Sequence, residues 1–242
     1  MALLEINEVA VAFGGLLALD DATIVVEDGC VTGLIGPNGA GKTTLFNVVT
    51  GLQEPTRGRV RFDGRDITRA RPHKRARLGI SRTFQRLEVF GSLTARENVL
   101  VAAERHFGVL NHAKAGAVTD DLLDRIGIRD VAHKTVESLP TGTARLVELA
   151  RALATQPRVL LLDEASSGLN EDETTAMGEL LVSLSNDGLA VLLVEHDMRF
   201  VMGTCVHINV LDFGRIIARG TPVEIQENAA VQSAYLGTGA QA

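Results

Sequence analysis

Along the first thirty residues apolar side chains recur at close to every second position: Leu4, Ile6, Val9 and Val11, then Ala22, Ile24 and Val26. A period of two turns one side of an extended chain toward a core and the other toward water, so strands are predicted, separated by Gly14–Gly15 and Asp28–Gly29. Val31–Ile35 reads as a shorter strand, and Val60–Phe62 followed by Asp63–Gly64 as a hairpin edge approached through Pro55 and Gly58. The spacing changes after about Leu87. Ala95, Val99, Ala102 and Ala103, then Leu122, Leu123 and Ile126, recur at helical intervals, so the stretch to about Leu153 is expected to be mostly helical. Two apolar runs follow, Val159 to Leu162 and Leu189 to Val194, each leading into polar or helix-like sequence. That alternation predicts an α/β fold in which helices cover a parallel sheet.

Composition adjusts this picture only slightly. With 242 residues, 45% of them hydrophobic, the chain can bury one large domain or a core with an inserted subdomain. The longest apolar runs fall far short of the roughly 20 residues that span a bilayer. Met1 to Val11 has no basic opening and carries Glu5 and Glu8, so no secretory signal is expected and the protein is placed in the cytoplasm. Cys30 and Cys205 lack metal-ligand neighbours and are expected to be reduced thiols. A net charge of −6 argues against a nucleic-acid partner, whose binding rests on phosphate neutralisation. The local basic run Arg69, Arg71, Lys74, Arg75 and Arg77 is read as a solvated helix face.

The strongest chemical signal is Gly36, Pro37, Asn38, Gly39, Ala40, Gly41, Lys42 and Thr43, which fit G-x-x-x-x-G-K-[ST] between the strand Val31–Ile35 and a helical run Thr44–Val49. Glycines let the backbone curl so that successive N–H groups face phosphate oxygens, and the helix adds its positive end. Lys42 can bridge the β- and γ-phosphates of ATP, the Thr43 hydroxyl can ligate Mg²⁺, and Thr44 completes the binding set. The run Val159–Leu162 ends in Asp163 and Glu164, at the carboxyl edge of a central strand, where α/β sheets bind ligands. Asp163 suits Mg²⁺, and Glu164 suits the polarisation of a water for attack on the γ-phosphate.

With these motifs in place, the chain resembles the ATP-binding subunits of ABC transporters over nearly its whole length. The resemblance implies a P-loop core formed by residues 1–85 and 156–220, with an antiparallel β region, an inserted helical subdomain at 86–155 and a C-terminal extension at 221–242. Gln85, in Ser81-Arg-Thr-Phe-Gln85, matches the glutamine that contacts Mg²⁺ and the attacking water and senses the permease. His196 matches the switch histidine that contacts the γ-phosphate, and Phe13 stands where the family stacks an aromatic on adenine. Ser166 to Asn170 matches the loop that crosses to the opposite subunit. The wording of Arg82 to Gln85, Gly168 to Asn170, Glu195 to Met198 and Leu211 to Ile217 is most similar to importers of branched-chain amino acids. Gly220-Thr-Pro and Ala234 to Gly237 agree with that group. Urea, other amides or lipids stay open as cargo, since no residue here need touch it, and a non-transport ABC ATPase is the alternative reading.

One segment departs from the family. Where the signature reads Leu-Ser-Gly-Gly-Gln, this chain has Leu139, Pro140, Thr141, Gly142 and Thr143. The family serine and neighbouring N–H groups grip ATP held by the partner subunit. Pro140 brings neither hydroxyl nor N–H, yet proline is tolerated in the first turn of a helix. The expectation is a heterodimer with a second ATPase subunit that carries an intact signature, with a homodimer as the competing arrangement. The resemblance further implies permease subunits in the membrane, an external solute-binding protein, and a peripheral location on the cytoplasmic face.

Overall fold

A computed structural model describes residues 1–236. The alternating N-terminal run folds into β1 (Ala2–Phe13) and β2 (Leu16–Glu27), a hairpin turned at Gly14–Gly15 with Leu4 opposite Val26 and Ile6 opposite Ile24. Leu4, Ile6, Val9, Val11, Ile24 and Val26 are fully buried, as the period of two demands. After β3 (Val31–Ile35) and α1 (Lys42–Thr50), the chain returns as β4 (Arg57–Phe62) on the other side of β1, followed by the short β5 (Arg65–Asp66). These give a four-stranded antiparallel sheet in the order β2-β1-β4-β5.

Next come α2 (Pro72–Leu78), β6 (Ile80–Arg82), α3 (Ala95–Phe107), α4 (His112–Ile126) and α5 (Thr141–Leu153). Helix α3 starts at Thr94, whose hydroxyl accepts from the Glu97 N–H while the Glu97 carboxylate accepts from the Thr94 N–H. The buried Asn98 amide fastens the preceding segment by accepting from the Phe90 N–H and donating to the Phe90 and Thr94 carbonyls. The remaining elements are β7 (Val159–Asp163), α6 (Glu171–Asn186), β8 (Ala190–Val194), α7 (Met198–Thr204), β9 (His207–Asp212), β10 (Arg215–Gly220), α8 (Pro222–Gln226) and α9 (Ala229–Leu236). Gly237 and the rest of the expected extension lie outside the described residues.

The second sheet has the order β10-β9-β3-β8-β7-β6, parallel from β9 to β6, with β10 antiparallel at its edge. Strands β3, β7 and β8 are buried along their whole length, which explains why they read as continuous apolar runs. Their pleat still sorts the side chains. Val159, Leu161, Ala190, Leu192 and Val194 join the core beneath the antiparallel sheet and α1, whereas Leu160, Leu162, Val191 and Leu193 join the core shared with α3 to α7. Each such Leu or Val contributes up to ~2 kcal/mol. Among the described residues no helix is long and apolar enough to cross a membrane. Cys30 and Cys205 are both free.

Two expectations need correction. The helix after the glycine-rich loop starts at Lys42, not Thr44, because Gly41 adopts a left-handed conformation and serves as its cap. The basic run at 69–77 is not uniformly solvated: Arg75 is buried, and its guanidinium donates to the carbonyls of Val48 and Val49, at the end of α1, and of Thr68 and Ala70. It gives the Val49 carbonyl at the end of α1 a donor and adds a second to the Val48 carbonyl, which also accepts from the Gly51 N–H. Burial lowers its pKa to about 10.

Candidate nucleotide site

Parallel pairing brings the carboxyl ends of β3, β8, β7 and β6 to one edge of the sheet. A cleft of about 240 Å³ there is lined by Asn38 to Thr44, Gln85, Asp163, Glu164, Val194 and His196, with Ala18 from β2 closing one side. The loop after β3 needs glycine at Gly36: its φ is +152°, and a Cβ there would lie 1.9 Å from the Leu211 carbonyl oxygen. Lys42 Nζ donates to the carbonyls of Gly36 at 2.6 Å and Pro37 at 2.9 Å, so the ammonium lies folded back across its own loop. Burial pulls its pKa below the usual lysine range, against the opposing pull of the Glu164 and Asp163 carboxylates.

Glu164 stands at the centre. Its φ of +54° is uncommon for a residue with a side chain, and its N–H donates to the Val194 carbonyl, which locks β7 to β8 just before the cleft. One carboxylate oxygen lies 3.0 Å from His196 Nε2, and the other accepts from Gln85 Nε2 at 3.1 Å. Three residues separated by up to 111 positions thus form one hydrogen-bonded group. A carboxylate held on both sides beside an anion cradle is suited to orient a water molecule.

For a divalent cation, the nearby donors are the exposed Thr43 hydroxyl, the Gln85 amide and the Asp163 carboxylate. Among the described residues no three His, Cys, Asp or Glu side chains gather into a metal cluster. This set fits a hard ion that takes most of its ligands from phosphate oxygens and water, as Mg²⁺ does.

Two expected groups lie apart from this cleft. Phe13 is 49% exposed at the end of β1 and is not among the lining residues. Leu139 to Thr143 lie at the start of α5. Pro140 sits just before the first helical residue rather than inside the first turn, and no side chain caps the helix. Gly142 is packed so closely that a Cβ would meet Leu169 at 2.8 Å and the Glu173 carboxylate at 3.2 Å, and Thr141 lies against Gly168. The start of α5 and the loop before α6 are therefore one packed unit.

Four charged residues with no role in the motifs are central to the fold. Arg145, on α5, donates to the carbonyls of Phe84 and Gln85 and pairs with Glu148 at 3.0 Å, both side chains being buried. Glu148 in turn accepts from the Glu88 N–H. Glu195 is buried and accepts from the N–H groups of Ser166 and His196; burial raises its pKa although these hydrogen bonds oppose the shift. Arg82 pairs with Asp163 at 2.9 Å. The available signal was a charge inside an apolar stretch, as with Arg145 and Glu148 on the buried face of α5.

The chain is similar to known proteins in sequence and in fold. A family model described as ABC transporter matches residues 19–167, and one described as branched-chain amino acid ATP-binding cassette transporter matches residues 215–241. The chain is 40% identical to the high-affinity branched-chain amino acid transport ATP-binding protein BraF of Pseudomonas aeruginosa, over 97% of this chain and 98% of that one. It is 32% identical to the lipopolysaccharide export system ATP-binding protein LptB of Haemophilus influenzae, over 98% of each. A crystal structure of the ADP conformation of an ATP-binding cassette of an ABC transporter superposes with a TM-score of 0.87 at 30% identity, covering 98% of this chain and 99% of that one.

Proposed function

Because the chain belongs to the ABC transporter family of ATP-binding proteins, and is an ATPase of that kind, we propose that it powers uptake of branched-chain or similar hydrophobic amino acids through membrane permeases. The observation that carries the substrate class is the match of residues 215–241 to the branched-chain amino acid model, a region that lies beyond the last of the common ATPase motifs. In this reading Gly36 to Thr44 hold the phosphates, and Thr43, Gln85 and Asp163 hold Mg²⁺, which would neutralise phosphate charge when bound. Glu164 acts as general base, His196 steadies the γ-phosphate and Phe13 stacks on adenine. The chain works peripherally at the cytoplasmic face of the membrane. The segment after Gln85 meets the permease, at a groove of about 270 Å³ whose lining includes Phe84, Glu88 and Phe90. An external solute-binding protein delivers the cargo.

ATP closes two subunits because each nucleotide is contacted from both. With Pro140 at the signature, the favoured partner is a different ATPase subunit whose intact signature covers Lys42, Glu164 and His196. The test is uptake of labelled leucine, urea and acetamide by cells with and without the gene, and after complementation with a Glu164→Gln copy. Loss of leucine uptake alone supports the reading. Normal leucine uptake with loss of urea or acetamide uptake would assign the cargo to those amides instead.

A further inference from the structure

Arg82 ends β6 two residues before the groove-lining Phe84, and its side chain is only 6% exposed. Its guanidinium reaches two elements at once. Nη2 donates to Asp163 Oδ2 at 2.9 Å, at the end of β7, and Nη1 donates to Asn47 Oδ1 at 2.7 Å, on the helix that follows the phosphate loop. The guanidinium carbon lies 5.2 Å from the Phe46 ring centroid and 4.9 Å from that of Phe84, so the planar cation contacts two aromatic rings. Nε is buried without a hydrogen-bond partner. A buried ion pair with an unsatisfied donor is a poor way to add stability, since apolar side chains of the same volume often serve at least as well. What such a fork provides is fixed geometry: one oxygen of Asp163, a residue that lines the cleft, is held in place.

Phe46 is fully buried, whereas Phe84 is 39% exposed and lines the groove. A displacement of Phe84 therefore reaches Asp163 through a single intervening side chain. We propose that Arg82 is a positioning residue that orients the Asp163 carboxylate toward the metal and ties that orientation to the groove beside Phe84. The proposal rests on the reading of Asp163 as the metal-holding carboxylate.

The test uses the full chain carrying Glu164→Gln, so that ATP persists, with Mn²⁺ binding followed by electron paramagnetic resonance and metal-free ATP binding measured in chelator. Arg82→Lys keeps the charge but cannot span Asn47 and Asp163 together, and is expected to weaken Mn²⁺ binding about tenfold, as loss of an outer-shell partner does. ATP binding in chelator and cooperative melting should persist. Phe84→Ala leaves the ion pair intact and should shift Mn²⁺ affinity in the same direction by a smaller factor. Parental Mn²⁺ affinity in both variants, or equal losses of Mn²⁺ binding, metal-free ATP binding and melting cooperativity, would make the pair purely structural. Asp163→Asn separates the two levels of inference. If it abolishes Mn²⁺ binding while Arg82→Lys changes nothing, only the role of Arg82 falls; if it leaves Mn²⁺ binding intact, the reading of Asp163 falls and takes that role with it.

Discussion

The cleft at the sheet edge and the start of α5 are the two stretches to which nucleotide contacts are assigned in the proposal, and they are built on opposite terms. In the cleft, Gln85, Glu164 and His196 are joined by hydrogen bonds inside one chain, and Lys42 is held by the carbonyls of its own loop. At α5 the chain offers an uncapped helix end, packed from behind by Leu169 and Gly168, with Pro140 where a hydroxyl would be expected. A site complete within one chain is specified by that chain's own strand pairing. A helix end whose proposed ligand belongs to another subunit can lose a side-chain contact without disturbing the fold. The contrast fits one equipped half-site and one weakened half-site in this chain.

The harshest way to break the comparison is Glu164→Gln. It should lower phosphate release by about 10²–10⁴-fold, the usual size of a general-base contribution, while fluorescent ATP analogue still binds. Retained turnover would remove Glu164 from the base role. Next, Arg145→Met cuts the physical joint between the two regions, leaving Glu148 buried without its cation and the Phe84 and Gln85 carbonyls without their donor. Denaturant melts should show a loss of about 3 kcal/mol, the cost of breaking a buried pair. A loss under about 1 kcal/mol would mean that water replaces the contacts.

Pro140→Ser probes the weaker region directly. As a helix cap it should add about 1 kcal/mol of stability, and in the proposed heterodimer it should raise turnover at one of the two sites only. Equal single-turnover rates before and after would count against two unequal sites. The smallest expected effect is at Glu195. Its raised pKa means that the folded chain holds a proton more tightly than the unfolded chain, so its contribution is present at and below the ordinary carboxylate range and is lost as pH rises toward the raised value. Glu195→Gln removes that dependence. The melting temperature of the variant relative to the parent should therefore improve from pH 4.5 to pH 7, and a constant difference would show that the burial of Glu195 carries no such penalty.

How much of this was legible depended on range. The phosphate loop, the strands β3, β7 and β8, and the Asp163–Glu164 pair could be read because each is a local pattern: glycine spacing, an apolar run, a polar end. Arg75 was misread because its cluster is basic throughout, and only the position of the end of α1 turns one of those five side chains inward. Arg82, Arg145, Glu148 and Glu195 stayed without a role because their partners lie far along the chain, except for the Arg145–Glu148 pair and the Glu195 bond to His196.

By itself, then, the sequence determined that a glycine-rich loop follows one buried strand and that another ends in two carboxylates, since backbone conformation and burial of apolar side chains act over a few residues. Strand order was decided only in three dimensions. Placing β8 between β3 and β7, with β6 beyond, sets His196 and Gln85 on the two oxygens of Glu164. It is the pairing of whole buried strands, each satisfying its neighbour's backbone, that fixes which distant side chains meet.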